Sequence, residues 1–257
     1  MKVISTRFEC RNRSGLNIVG RMYHTQDTER TASTVIFADR LNATKNNGFC
    51  DIMAENYASK YLRTVNIDFT FAPGESYGSI GDATVSKRAA DIVDTIKYLS
   101  YEKVMDRGCN LEFVGCGVGS VVALKLASAS GYGSRVKAVV GIDSAFSMHA
   151  VLNDLVFGTP EQHASIEDGT GDIIYGNNRV DRGLLEDYFA NIRTLCETMP
   201  KAEYNTLLCL SKGDDLFLGK EPIFKTFGRA FVNFQTLKDE DERRLISDCR
   251  QFLYDHV

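Results

Sequence analysis

Tryptophan is absent from this 257-residue chain, and proline and histidine occur only four times each. Without tryptophan, any aromatic anchor of a protein interface has to come from the 11 tyrosines and 15 phenylalanines. So few prolines fit an ordinary soluble globular protein, as do 44% hydrophobic and 25% charged residues. No run of 18 apolar residues is present, so no membrane-spanning helix is expected. No excess of positive charge exists either. The net charge of −4 offers no basic field to nucleic acid or to an anionic membrane surface. Met1-Lys2-Val3-Ile4-Ser5-Thr6-Arg7 lacks the apolar core of a secretory signal. The seven cysteines (Cys10, Cys50, Cys109, Cys116, Cys196, Cys209, Cys249) are scattered, odd in number and without a C-x-x-C pair. Reduced, mostly buried thiols are therefore expected rather than disulfides or zinc ligands, with the cytoplasm as the default location.

The length suits one large α/β domain. Residues 3–10 and 16–23 read as strands around the turn Asn12-Arg13-Ser14-Gly15, and Ser33 to Phe37 as a short buried strand. From Gly48 to Tyr61, Phe49, Ile52, Met53 and Tyr57 recur at helical spacing, and Thr64 to Phe69 is the next strand. Thr84 or Ser86 can cap a long helix whose apolar face is Val85, Ala89, Ile92, Val93, Ile96 and Leu99. Lys137 to Asp143 is a continuous apolar run of the kind a two-faced parallel sheet needs. Alternation breaks between 146 and 182, where glycines punctuate a mostly polar stretch. A helix is expected at 184–199, strands at Asn205 to Leu210 and Phe231 to Leu237, and a closing helix facing inward with Leu245, Ile246, Cys249, Phe252 and Leu253. Alternating strands and helices predict a mostly parallel central sheet with helices on both faces. The whole chain, 1–257, reads as one domain with an inserted helical cap at about 146–200.

The stretch from Leu111 to Leu124 carries the functional question. An apolar strand runs into Gly115-Cys116-Gly117-Val118-Gly119, and an almost wholly apolar helix follows over 118–130. Strand, tight turn and buried helix is the layout of a nucleophile elbow, written G-x-S-x-G. Here glycine, Gly117, holds the nucleophile's position.

Several further segments occur in the matching order. Asn66-Ile67-Asp68-Phe69 with Pro73-Gly74-Glu75-Ser76-Tyr77-Gly78 resembles a D-F-x-G-x-G-x-S-x-G segment. Gly115 to Ser120 resembles G-H-S-x-G-G, and Lys212 to Leu218 resembles G-x-D-D-x-x-V. On these motifs the chain resembles the α/β-hydrolase family, in particular its serine aminopeptidase and cinnamoyl-esterase-like branch. The resemblance implies an α/β-hydrolase fold and a Ser–His–Asp triad. It aligns Asp215 with the triad acid and the loop Leu237-Lys238-Asp239-Glu240-Asp241-Glu242 with the histidine position, yet that loop holds no histidine. The family's H-G motif, which helps to form the oxyanion hole, is replaced by Ala38-Asp39, and an anionic Asp39 opposes a developing oxyanion.

Losing nucleophile and base together removes the mechanism rather than tuning it, so a degenerate triad and a pseudoenzyme are expected. Glycine also tolerates the strained elbow conformation without a Cβ penalty. An engineered Ser→Gly change at 117 would leave the missing histidine and H-G unexplained. Ser120, as a displaced nucleophile, lies in the first helical turn, where packing or capping is the simpler role. Cys116 flanks the elbow, and a helix N-terminus can acidify a thiol, but without a base a small buried side chain is the plainer reading. Asp214 and Asp215 read as an acid pair or as inherited turn residues. The histidines are His24, His149, His163 and His256; His149 follows the 137–143 strand towards the old pocket and His163 lies in the cap, but a surface or satisfied histidine is the plainer reading of both, His256 reads as solvated, and 239–243 reads as a solvated helix start.

The glycine-rich turn is also a generic anion site at a helix N-terminus. Together with Val139-Val140-Gly141-Ile142-Asp143 it resembles the motifs of S-adenosylmethionine-dependent methyltransferases, although the spacing to Asp143 is long. The expectation is a catalytically inactive α/β-hydrolase-like protein that acts as a binding or structural subunit. Its old pocket is formed by Ala38, Asp39, Cys116, Gly117 and Val118, with no cofactor and no metal. A protein partner or homo-oligomer is expected, and a small ligand under the cap is the other binding mode. The enzymatic alternative is a weak serine- or cysteine-type esterase, and a methyltransferase is a lesser one.

Overall fold

The computed structural model describes residues 2–40, 44–45, 49–72, 74–78, 83–129, 131–132, 134–143, 173–175, 178–180, 182–198, 204–210, 230–234 and 242–256. The elements follow in chain order as β1 (Val3–Arg11), β2 (Asn17–Thr25), β3 (Ser33–Ala38), α1 (Phe49–Tyr57), β4 (Leu62–Asp68), α2 (Val85–Tyr101), β5 (Leu111–Cys116), α3 (Val118–Ser128) and β6 (Val136–Ile142). Then come β7 (Ile173–Tyr175), β8 (Asn178–Val180), α4 (Gly183–Thr198), β9 (Asn205–Leu210), β10 (Ala230–Phe234) and α5 (Glu242–Tyr254).

Eight strands form one sheet in the order β1-β2-β4-β3-β5-β6-β9-β10. β1, β2 and β4 pair antiparallel, and every pairing from β4 to β10 is parallel. β3, β4 and β5 are buried along their whole length, as strands covered on both faces must be. One face carries α2, α3 and α4 over Ile36, Val65, Phe113 and Val139. The other carries α1 and α5 over Val35, Phe37, Val114 and Val140. This is the mostly parallel, doubly covered sheet that the sequence predicts.

Helix α3 is apolar all round because it is enclosed between the sheet, α2 and α4. At the start of α2, Thr84 is the cap, and its hydroxyl accepts the Lys87 N–H at 3.1 Å. Such a cap contributes about 1 kcal/mol. Ser86, the other candidate cap, turns instead to α4, where its backbone N–H donates to Asp187 at 3.1 Å.

Two elements depart from the sequence reading. On α1 the buried stripe is Cys50, Met53, Ala54 and Tyr57, while Ile52 is 51% exposed. A nine-residue helix offers two overlapping apolar stripes, and only packing on β3 and β4 chooses between them. Within the glycine-punctuated stretch, β7 and β8 form an antiparallel ladder with Tyr175 opposite Asn178. Gly176-Asn177 between them is a hairpin signal that the polar composition masked. Of the span 146–200 expected to form a cap, α4 packs against α2 and α3 through Leu184, Leu185, Tyr188 and Leu195. Residues 144–172 lie outside the described residues.

Candidate active site at the elbow

β5 delivers Cys116 to the C-terminal edge of the sheet, and α3 begins two residues later at Val118. Between them Gly117 has φ 55° and ψ −123°, and its N–H donates to the Ile142 carbonyl at 2.9 Å. An L-residue held in such a sparsely populated region carries about 1–3 kcal/mol of strain, which glycine avoids. The neighbouring glycines answer a different demand. A Cβ on Gly119 would lie 1.8 Å from the Ala38 carbonyl oxygen, and one on Gly115 would lie 2.4 Å from that of Gly119. The G-x-G-x-G spacing thus follows from how closely β5, the first turn of α3 and the end of β3 approach one another. It needs no phosphate to explain it.

Ser120 is fully buried, and its hydroxyl donates to the Gly115 carbonyl at 2.9 Å. It ties the first turn of α3 back to the strand. Cys116 is 1% exposed with its Sγ 3.2 Å from that of Cys50. The contact with Cys50 draws the Cys116 thiol down, but burial and the nearby Asp39 and Asp143 outweigh it and leave the thiol raised. A protonated, buried thiol is a poor nucleophile.

At the end of β3, Asp39 lies 5% exposed beside the elbow. Its Oδ1 accepts the backbone N–H of Arg40 at 2.8 Å, while Oδ2 has no hydrogen-bond partner among the described residues. Burial pushes this carboxyl above its ordinary range, against the pull of the Arg40 N–H and charge, of the Cys50 thiol close by and of the Arg88 charge. In the elbow architecture an oxyanion hole takes one N–H from the residue after the nucleophile and one from the loop after this strand. Here the Arg40 N–H of that loop is engaged by Asp39. The Arg40 guanidinium also reaches Asp143, at the end of β6, at 3.3 Å. Since β5 lies between β3 and β6, this ion pair spans the edge of the sheet from which the elbow emerges.

The structure adds two residues that the sequence reading did not single out. Arg88 of α2 is fully buried, donates to the Asp39 and Arg40 carbonyls at 3.0 and 3.2 Å, and stacks over Phe69 at 4.6 Å. Its position on the apolar stripe between Val85 and Ile92 is the signal that could have found it. Lys45, also fully buried, donates from its backbone to Asp68 at 2.6 Å and from Nζ to Asp68 at 2.8 Å and Glu75 at 2.5 Å. Asp68 receives the Glu75 N–H at 2.9 Å as well. The Asp68 to Gly78 motif is accordingly an architectural knot that holds the loops after β3 and β4 together.

Ala38 and Asp39 stand at the end of β3, and Cys116, Gly117 and Val118 at the junction of β5 and α3; all five are buried. Asp214, Asp215 and the rest of Lys212 to Leu218 lie outside the described residues, as do His149, His163 and the loop residues 237–241. Strand β9, which leads towards Asp215, ends at Leu210 beside β6. His24 contacts the Thr25 carbonyl on β2, and the His256 ring lies tilted against that of Phe252, centroids 4.6 Å apart, just past the end of α5. Asp143, the acid of the methyltransferase resemblance, is the partner of Arg40.

No protein-family model matches the chain, and no curated protein matches it in sequence. Solved structures do match over nearly the full length. Est1E from Butyrivibrio proteoclasticus with ferulic acid bound superposes with a TM-score of 0.74 at 13% identity, covering 98% of both chains. The alpha/beta hydrolase GrgF from Penicillium sp. sh18 gives 0.64 at 14% identity, covering 100% of this chain and 99% of its own. Alpha/beta hydrolase domain-containing protein 10 from mouse gives 0.62 at 13%, covering 97% of this chain and 99% of its own.

Proposed function

We propose that this chain, which has the α/β-hydrolase fold, performs no Ser–His–Asp chemistry and works by binding, as a subunit that contacts another protein or a second copy of itself. The observation that carries the reading is Gly117: the elbow's backbone is retained at φ 55°, ψ −123°, with no side chain to act from it. Three features around it support the same reading. The Arg40 N–H that an oxyanion would need is taken by Asp39, and the Arg40–Asp143 pair puts fixed charges where an ester carbonyl would have to enter. Neither nearby substitute fits the role of nucleophile, because Ser120 is spent on the Gly115 carbonyl and the Cys116 thiol is buried and raised. The loop that follows β10 offers no histidine at 237–242 to serve as base. For contact with a partner, the chain exposes the aromatic side chains of Tyr61, Tyr77 and Tyr101.

Two measurements test this. Purified protein is expected to hydrolyse p-nitrophenyl and feruloyl esters no faster than buffer. Turnover that survives in the wild type and vanishes in Ser120→Ala or Cys116→Ala would establish the esterase instead. Light scattering after size exclusion is expected to find a mass above that of one chain, or a pull-down to recover a stoichiometric partner. A strict monomer without a partner, whose melting temperature rises with ferulate or another small carboxylate, would replace the surface reading with a small-ligand receptor.

A further inference from the structure

Four of the buried cysteines lie on one face of the sheet, and two of them meet an acid. Cys50 comes from α1, Cys116 from the end of β5, and Asp39 from the end of β3. One ligand atom from each lies within 4.8 Å of the other two, and all three residues are buried. The two sulfurs are 3.2 Å apart, and Asp39 Oδ2 has no hydrogen-bond partner among the described residues. We propose that Asp39, Cys50 and Cys116 form a binding site for a thiophilic divalent cation, with zinc as the fitting ion, that fastens α1 to the ends of β3 and β5.

The donor set is chemically right. Zinc takes thiolate sulfur at about 2.3 Å and carboxylate oxygen at about 2.0–2.2 Å, which places two tetrahedral sulfurs roughly 3.8 Å apart. The observed pair has only to open by roughly half an ångström, within the freedom of two χ1 rotations. The fourth position is left to water or to a ligand.

Charge explains why these groups are gathered in an apolar core. A buried carboxyl oxygen short of hydrogen-bond partners is destabilising. When the cation binds, the two thiols and the carboxyl each release a proton to solvent. The resulting two thiolates, carboxylate and divalent cation carry a net single negative charge beside the Arg40–Asp143 ion pair. A disulfide between Cys50 and Cys116 is the competing use of the pair, but it requires an oxidant to reach two buried, protonated thiols. It would also leave Asp39 Oδ2 as it is. The carboxylate therefore favours the cation. The proposal is independent of whether Gly117 abolishes ester hydrolysis.

The test uses the full chain and cobalt(II) as a spectroscopic substitute for zinc. Metal-free protein is titrated with cobalt, and a second sample is refolded from denaturant with cobalt present, so that slow entry to a buried site cannot hide binding. The expected result is one cobalt per chain, with a thiolate-to-cobalt charge-transfer band and the visible bands of tetrahedral cobalt. Zinc should displace it stoichiometrically and raise the melting temperature. Cys50→Ser and Cys116→Ser should each lose the charge-transfer band, and Asp39→Asn should weaken binding by about 10-fold or more. Cys109→Ser, on the opposite face of the sheet, should leave the spectrum unchanged. The proposal is overturned if neither wild-type sample shows the charge-transfer band, which requires no variant to fold. It also fails if the band persists in both cysteine variants, or if the native protein's mass is two hydrogens short from a Cys50–Cys116 disulfide.

Discussion

Replacing Glu112 by methionine should stabilise the protein, and the gain should grow with pH. Glu112 is the second residue of β5, fully buried, with both carboxyl oxygens lacking a hydrogen-bond partner among the described residues. Its neighbours across the sheet are Val35 and Ala138. Burial alone pushes its carboxyl from an ordinary 4.5 to about 8. The sign of the linkage follows directly. Between those two values the unfolded chain has released this proton and the folded chain still holds it, so rising pH favours unfolding. The stability attached to the protonated form is fully present below pH 4.5 and is lost as pH rises towards about 8. At about 1.4 kcal/mol per pH unit, the loss over that window is about 5 kcal/mol. Methionine matches the length of glutamate, has no proton to lose and leaves no polar atom in the core. Urea unfolding of both proteins across the range measures the difference. From about pH 5 to about pH 7.5 the advantage of Glu112→Met should widen by about 3 kcal/mol. Asp39 and Asp91 are raised by burial too, but they are present in both proteins and cancel in the comparison. Parallel stability curves, or a variant less stable than wild type near neutral pH, would refute the reasoning.

At the elbow, Gly117→Ala should destabilise the fold by about 1–3 kcal/mol, because alanine must adopt the φ 55° turn; a denaturation midpoint that does not move would show that the turn relaxes. Gly117→Ser should carry the same penalty and still show no ester hydrolysis, since it restores a hydroxyl without a base; turnover in this variant would reveal a histidine brought in from elsewhere. Arg88→Met should lower stability by about 2–4 kcal/mol through loss of its charge-assisted hydrogen bonds to the Asp39 and Arg40 carbonyls. Amide exchange at Arg40 should speed up in that variant, and unchanged protection there would mean that Gly119 packing alone holds the segment. Ser120→Ala should cost about 1–2 kcal/mol by leaving the Gly115 carbonyl short of its donor, and an unchanged unfolding curve would place the hydroxyl's role elsewhere.

The order of elements was legible because it rests on local signals. Apolar runs such as Lys137 to Asp143 and Asn205 to Leu210 have only one comfortable place, inside a sheet covered on both faces, and the observed strands follow them closely. The turn at Gly117 could be read as an elbow because a turn's backbone demand is written in adjacent residues. Local signals gave out where two patterns overlapped. On α1 the sequence admitted Ile52 to the core, and packing excluded it. Polar composition also hid the short antiparallel pair β7 and β8.

The sequence by itself determined the fold class, the glycine at 117 and the lack of histidine at 237–242, since each is a matter of which residues stand in which order. Only the tertiary structure decided what surrounds Gly117. Asp39, Cys50 and Cys116 are far apart in the chain, and parallel strand pairing together with the packing of α1 brings them within 4.8 Å. Arg40 and Asp143 likewise meet across β5 although 103 residues separate them. Spacing along a chain carries no information about such contacts. They arise when each strand end is set beside its neighbour by backbone hydrogen bonds and by the burial of both sheet faces.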